Sequence, residues 1–264
     1  MLNNTTTIIK KWFRWRRGAE KPIIILGNQK SGTTAIAGLL AECANLNCTL
    51  DIHEMHDGKV GRRYAKGDLQ LSEIIKSCKH KFRTPIIKEP MLTFMADQVT
   101  VEFPDSTIVF IIRDPRDNIR SILNRLEIPG NLNTLNEDIV NSFPESWKDV
   151  LKGSRLGLCQ ESTNYIERLA ERWNHALDTY DNISNNKILI RYEDFLSSKV
   201  LAIEELCRSL NLPVRRDITE IQDRQYQKKG DRDITWEEFY GHENLARIQA
   251  ICSDKMTRFN YLSN

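Results

Sequence analysis

The chain has no run of about eighteen apolar residues, so nothing in it reads as a transmembrane helix. Its N-terminus lacks the apolar core of a secretory signal peptide. Charge of one sign is scarce too: 38 Lys and Arg against 36 Asp and Glu leave a net +2. That balance argues against a general nucleic-acid binder, which needs a marked basic excess. A local basic pocket remains compatible with it. The six cysteines (Cys43, Cys48, Cys78, Cys159, Cys207 and Cys252) form no C-x-x-C pair and no zinc-ligand spacing. A chain of 264 residues buries about 70–75% of its unfolded surface and needs no disulfide or metal staple. Reduced thiols and a cytoplasmic location are the expectation. There is no internal repeat and no low-complexity tract.

What is present is an alternation of strand and helix patterns, the signature of an α/β fold with a parallel central sheet flanked by helices. Residues 1–20 read as a basic N-terminal arm and 21–264 as a single domain. Residues 10–17 of the arm, KKWFRWRR, suit a peripheral contact with an anionic membrane surface at the inner face or a loosely held terminus. Pro22–Leu26, PIIIL, reads as a strand buried on both faces. Residues 27–32 form a polar turn, and a helix is expected from Thr33 to Ala44 with Ile36, Leu39, Leu40 and Cys43 on one face. Further strands are expected at Pro85–Lys88, Thr107–Ile112 and Lys187–Tyr192. Helices are expected from Pro115, well suited to a first turn, to Leu126, and over 164–180, 198–210 and 243–255. Residues 127–163 read as an insertion of loops and short helices. With residues 55–84 they are expected to build a substrate cleft, because loops carry specificity.

The octet Gly27-Asn28-Gln29-Lys30-Ser31-Gly32-Thr33-Thr34 lies directly between a buried strand and an amphipathic helix. Backbone N–H groups of such a turn converge with the helix dipole on one anion. The octet nearly matches the nucleotide-triphosphate loop G-x-x-x-x-G-K-[ST]. Where that motif has lysine after the second glycine, this chain has Thr33, and its lysine, Lys30, sits inside the loop. The missing lysine speaks against an ATP or GTP γ-phosphate site.

Lys30 to Thr34, KSGTT, resembles the 5′-phosphosulfate loop [RK]-x-G-[TS]-[TS] of the sulfotransferases that use 3′-phosphoadenosine-5′-phosphosulfate (PAPS). Arg113-Asp114-Pro115-Arg116-Asp117, with Ser121 beyond it, is similar to that family's 3′-phosphate motif R-[DN]-P-x-D-x-x-x-S. Arg113 leaves a strand end and Ser121 lies on the following helix, so a charged fork and a neutral donor can reach one phosphate. Arg191-Tyr192-Glu193-Asp194 resembles the family's R-Y-E-[DE] segment, whose tyrosine lies near the nucleotide base. Lys228-Lys229-Gly230, followed by Trp236, resembles its R-K-G loop, with a lysine point charge in place of the planar arginine.

The resemblance implies a P-loop-like sulfotransferase fold, PAPS as co-substrate and no metal. It implies that Lys30 meets the bridging oxygen and that Ser31, Gly32, Thr33 and Thr34 hold the 5′-phosphate. Arg113 and Ser121 would hold the 3′-phosphate, and Lys88, in Ile87-Lys88-Glu89-Pro90, would contact the transferring sulfonate. The proton acceptor is less defined. Cytosolic members carry a histidine shortly after that lysine, where this chain has Pro90. Other members use a glutamate somewhat beyond the phosphate loop, which directs attention to Glu54 and Asp51, then His53 and Glu89. The acceptor itself is open among a saccharide, a glycolipid and a small metabolite. Two other readings stay open at this stage: a P-loop nucleotide or small-molecule kinase, and a non-catalytic nucleotide-binding protein on the same fold.

Overall fold

The structure is a computed structural model that describes residues 21–56, 58–153, 156, 158, 164–225 and 234–262. The proposed membrane-contact segment 10–17 and the Lys228-Lys229-Gly230 loop lie outside the described residues. No described helix is long and apolar enough to cross a membrane.

Five parallel strands form one sheet in the order β2-β3-β1-β4-β5. They are β1 (Ile23–Leu26), β2 (Cys48–Thr49), β3 (Ile86–Lys88), β4 (Thr107–Ile112) and β5 (Asn186–Arg191). The helices are α1 (Thr33–Ala44), α2 (Gly58–Ala65), α3 (Leu71–Ser77), α4 (Ala96–Glu102), α5 (Pro115–Leu126), α6 (Glu137–Asn141), α7 (Glu145–Lys152), α8 (Tyr165–Asn182), α9 (Tyr192–Ser197), α10 (Lys199–Ser209) and α11 (Trp236–Arg258). Short 3₁₀ turns occupy His53–Met55, Lys81–Arg83 and Pro90–Met95.

The apolar strands feed two cores, because alternate side chains leave opposite faces of the sheet. Ile24, Leu26, Phe110 and Ile112 meet α5, α8 and α11 through Ile122, Trp173 and Ile248. Ile23, Ile25, Val109 and Ile111 meet α1 and α10 through Ile36, Leu40 and Leu206. Covering both faces is what a parallel sheet requires, and it leaves the C-terminal strand ends as the open crevice.

The expected helices Thr33–Ala44 and Pro115–Leu126 and the strand Thr107–Ile112 form with those bounds. Asp114 caps α5 by accepting from the Arg116 N–H at 2.9 Å, with Pro115 in the first turn. Three features differ from expectation. The two-residue strand β2 is too short to show a period. Residues 58–77, expected as cleft loops, are largely helical. The last helix starts at Trp236, well before Glu243, because Thr235 and Glu238 form a capping box. Gly241, at φ 67°, ψ 166°, kinks it, which interrupts the helical period.

Candidate active site

The turn after β1 is braced from below. The Thr93 hydroxyl accepts from the Gly27 N–H at 2.9 Å and donates to the Gly27 carbonyl at 3.0 Å. Asn118 of α5 donates through Nδ2 to the Gln29 carbonyl at 2.8 Å and to Ser31 Oγ at 3.0 Å, and accepts from Asn28 Nδ2 at 2.9 Å. The fully buried Arg172 of α8 donates to Gln29 Oε1 at 3.1 Å. These bonds offset the left-handed backbone of Lys30, φ 68°, a conformation that costs about 1–3 kcal/mol in a non-glycine residue. Gly32, also left-handed at φ 92°, is the N-cap of α1, and no side chain caps that helix. The N–H groups of Thr33 and Thr34, at the first two helical positions where no intrahelical acceptor exists, lie at the cleft wall, while the Ala35 N–H donates to the Gly32 carbonyl at 3.1 Å.

Three segments that resemble separate family motifs are tied together at the strand tips. Arg113 Nη1 donates to the Lys30 carbonyl at 3.0 Å, and its guanidinium lies 4.9 Å from the centre of the Tyr192 ring. Tyr192 in turn covers Gly32, where an added Cβ would come within 2.3 Å of the ring. Glu193 Oε1 accepts from the Asp114 N–H at 2.9 Å, and Glu193 Oε2 accepts from the Tyr261 hydroxyl at 2.9 Å. Trp173 Nε1 donates to the Arg113 carbonyl at 2.8 Å.

The result is a cleft of about 280 Å³ along the C-terminal edge of the sheet. Lys30, Gly32, Thr33, Thr34, Asp51, Lys88, Arg113, Ser121 and Tyr192, all singled out in the sequence, line it together. Arg120 and Arg125 add positive charge on the same side as Ser121, and Trp147 of α7 lines the cleft too. The cations repel one another: burial, then Arg125, Arg113 and Lys88, pull the Lys30 pKa down to about 8. A bound anion relieves that repulsion, which is the electrostatic profile of a site shaped for a multiply charged ligand.

The remaining expected residues are placed differently. Ser31 is buried beneath the turn, bonded to Asn118, and is absent from the cleft lining. Glu54 lies outside the cleft lining as well, near Cys78, whose thiol is pushed up by burial first and by the Glu54 charge to a lesser degree. His53, on the same turn, is exposed. Asp51 lines the cleft and binds the buried Lys88 ammonium at 2.7 Å. Glu89 is fully buried and pairs with His56 at 3.1 Å. His56 was not anticipated: it stands on the cleft wall beside Asp51, and no sequence spacing connects it to Glu89. Asn118 was also missed, though it follows RDPRD directly.

A parallel α/β sheet with an uncapped helix mouth and a cationic cleft at its strand ends defines a P-loop-like fold with a candidate anion site. The model of the sulfotransferase family matches residues 53–216, more than half of the chain, and the chain belongs to that family. The match contains Lys88, Arg113, Ser121 and Tyr192, and the phosphate turn lies just ahead of it. Among solved structures, the sulfotransferase STF9 from Mycobacterium avium is similar at a TM-score of 0.59 and 12% identity, over 97% of this chain and 81% of that one. The mouse sulfotransferase SULT7A1, complexed with PAP, is similar at a TM-score of 0.53 and 15% identity, over 92% and 86%. At these identities the likeness establishes the fold. No curated protein sequence matches this chain.

Proposed function

We propose that this chain transfers a sulfuryl group from PAPS to a hydroxyl or amine of a saccharide, glycolipid or small metabolite. One observation carries the reading. The Lys30 turn and Arg113 share a hydrogen bond of 3.0 Å, so two anion-binding groups that the sequence separates stand side by side in one cleft. That is the arrangement needed to grip a nucleotide bearing both a 5′- and a 3′-phosphate.

In this reading the N–H groups at the mouth of α1, with Gly32, Thr33 and Thr34, hold the 5′-phosphate above the buried Ser31, which braces the turn through Asn118, and Arg113 and Ser121 hold the 3′-phosphate. Tyr192 offers its ring to the adenine. Lys30 neutralises charge building on the leaving phosphate, and Lys88 meets the sulfonate oxygens as the sulfuryl group passes in line to the acceptor. Asp51 holds Lys88 in the unliganded protein and yields it to the sulfonate. The acceptor then enters past Asp51, past His56 of the 55–84 segment and past Trp147 of the 127–163 segment. The Trp147 ring suits the apolar face of a sugar ring.

Calorimetry with 3′-phosphoadenosine-5′-phosphate (PAP) and radiolabelled sulfate transfer from PAPS test the proposal. Tight PAP binding without magnesium, together with label transfer to a saccharide or metabolite pool, supports it. Binding of ATP with magnesium in preference to PAP would assign the cleft to a kinase, and PAP binding without transfer would leave a nucleotide-binding protein.

A further inference from the structure

The acceptor end of the cleft contains an imidazole backed by a buried carboxylate. His56 ends the 3₁₀ turn His53–Met55 and lines the cleft, its side chain 36% exposed, while Glu89 behind it is 0% exposed. Glu89 Oε2 accepts from the Ile52 N–H at 3.0 Å and meets His56 Nε2 at 3.1 Å. Glu89 Oε1 accepts from the Met91 N–H at 3.0 Å. A carboxylate bound by two backbone donors stays ionised and only accepts hydrogen bonds. Nε2 must therefore carry the proton it shares with Glu89, and neutral His56 keeps its lone pair on Nδ1. The ring is fixed in one tautomer and orientation, as a proton acceptor requires.

The other acids compete poorly. Asp51 is spent on Lys88 at 2.7 Å, Glu54 lies outside the cleft lining, and Glu89 is sealed in. Asp51, His56 and Glu89 also place donor atoms within 4.8 Å of one another, a spacing a cation site would have. An ammonium already holds the Asp51 oxygen, however, and N–H donors hold both Glu89 oxygens. Each of these carboxylates is thus already engaged by donors of the protein itself.

Resting on the sulfuryl-transfer reading above, we infer that His56 is the general base of the reaction and that Glu89 is its positioning residue. The acceptor O–H gives its proton to His56 Nδ1 while its oxygen forms the new O–S bond. The S–O bond to the 5′-phosphate breaks, and that electron pair stays on the phosphate oxygen of PAP. Imidazolium is left against Glu89 and returns its proton to solvent. Three charged groups face the imidazole. Burial and Lys88 lower its proton affinity, but the hydrogen bond and charge of Glu89, helped by Asp51, outweigh them, so the net shift is upward.

The test uses the whole 264-residue chain, with NMR on the unliganded protein and again after addition of PAP. Imidazole NMR resolves the five histidines, and His56→Gln identifies the His56 signal. The expected result is an Nε2–H tautomer whose titration moves to lower pH in Glu89→Gln. An Nδ1–H tautomer, or a titration unmoved by Glu89→Gln, overturns the inference. The rate arm follows [³⁵S]sulfate release from PAPS with water as the acceptor. His56→Gln should slow it by about 100-fold or more, with PAP affinity held within about threefold. An unchanged rate, a wild-type rate no faster than PAPS alone in buffer, or activity abolished by EDTA and restored by zinc rejects His56 as the base. Failure of the wild-type chain to bind PAP rejects the sulfuryl-transfer reading instead, a result the NMR tautomer is independent of. Should His56→Gln fail to fold, the Glu89→Gln titration decides alone.

Discussion

Replacing Arg113 by alanine separates the two anion-binding groups more sharply than any other change. Arg113 is 8% exposed, and its guanidinium does two things. It ties the Lys30 carbonyl at 3.0 Å and lies against Tyr192 at 4.9 Å, which shapes the phosphate turn for every nucleotide. In the proposed complex it also binds the 3′-phosphate, which only PAP and PAPS carry. The first effect, a single charged donor to a carbonyl plus a ring contact, is worth about 1–2 kcal/mol and weakens PAP and AMP alike. The second, a charge-assisted bond to phosphate, adds about 1.5–3 kcal/mol for PAP alone. Calorimetry should therefore find that Arg113→Ala erodes the preference of the protein for PAP over AMP by about 10- to 150-fold. Urea unfolding checks that the variant remains folded. Equal losses for the two nucleotides would show that Arg113 merely braces the turn, and the 3′-phosphate assignment would fall.

Lys88→Met keeps the volume of a buried side chain but removes its charge. Turnover should drop about 100-fold or more with PAP affinity within about threefold, and a parallel fall of both would place Lys88 in cofactor binding instead. In the unliganded protein Lys30 has a pKa of about 8, and a bound phosphate must raise it. PAP binding should thus take up a proton at and above that pH and weaken as pH rises through it; calorimetry in buffers of different ionisation enthalpy reads the uptake, and Lys30→Ala should abolish it. Gly32→Ala forces a left-handed alanine and a Cβ within 2.3 Å of Tyr192. A cost of about 2 kcal/mol should lower Tm by about 4–8 °C and impair PAP binding, and an unchanged Tm would mean the ring moves aside freely.

The sequence by itself determined the frame and most of the residues that gather in the cleft. Unbroken β-branched runs such as Ile23–Ile25 declared strands buried on both faces, and Pro115 declared the start of α5, because these signals depend only on neighbours along the chain. The phosphate turn and the Arg113–Ser121 spacing were legible for the same reason: a strand end followed by a helix presents its anion-binding groups at fixed local offsets. The tertiary structure decided what depends on groups from different crossovers. It drew Glu89 from the end of β3 to His56 on the turn after β2, a pairing no periodicity encodes. It spent Asp51 on Lys88, and sent Glu54 away from the cleft although both were equally plausible by position. It also put Asn118 and Arg172 beneath the phosphate turn, where buried polar atoms had to find partners and the backbone of that turn supplied them. Local pattern specifies which elements form. The partners of a buried charge are set only when the sheet brings distant strand ends together.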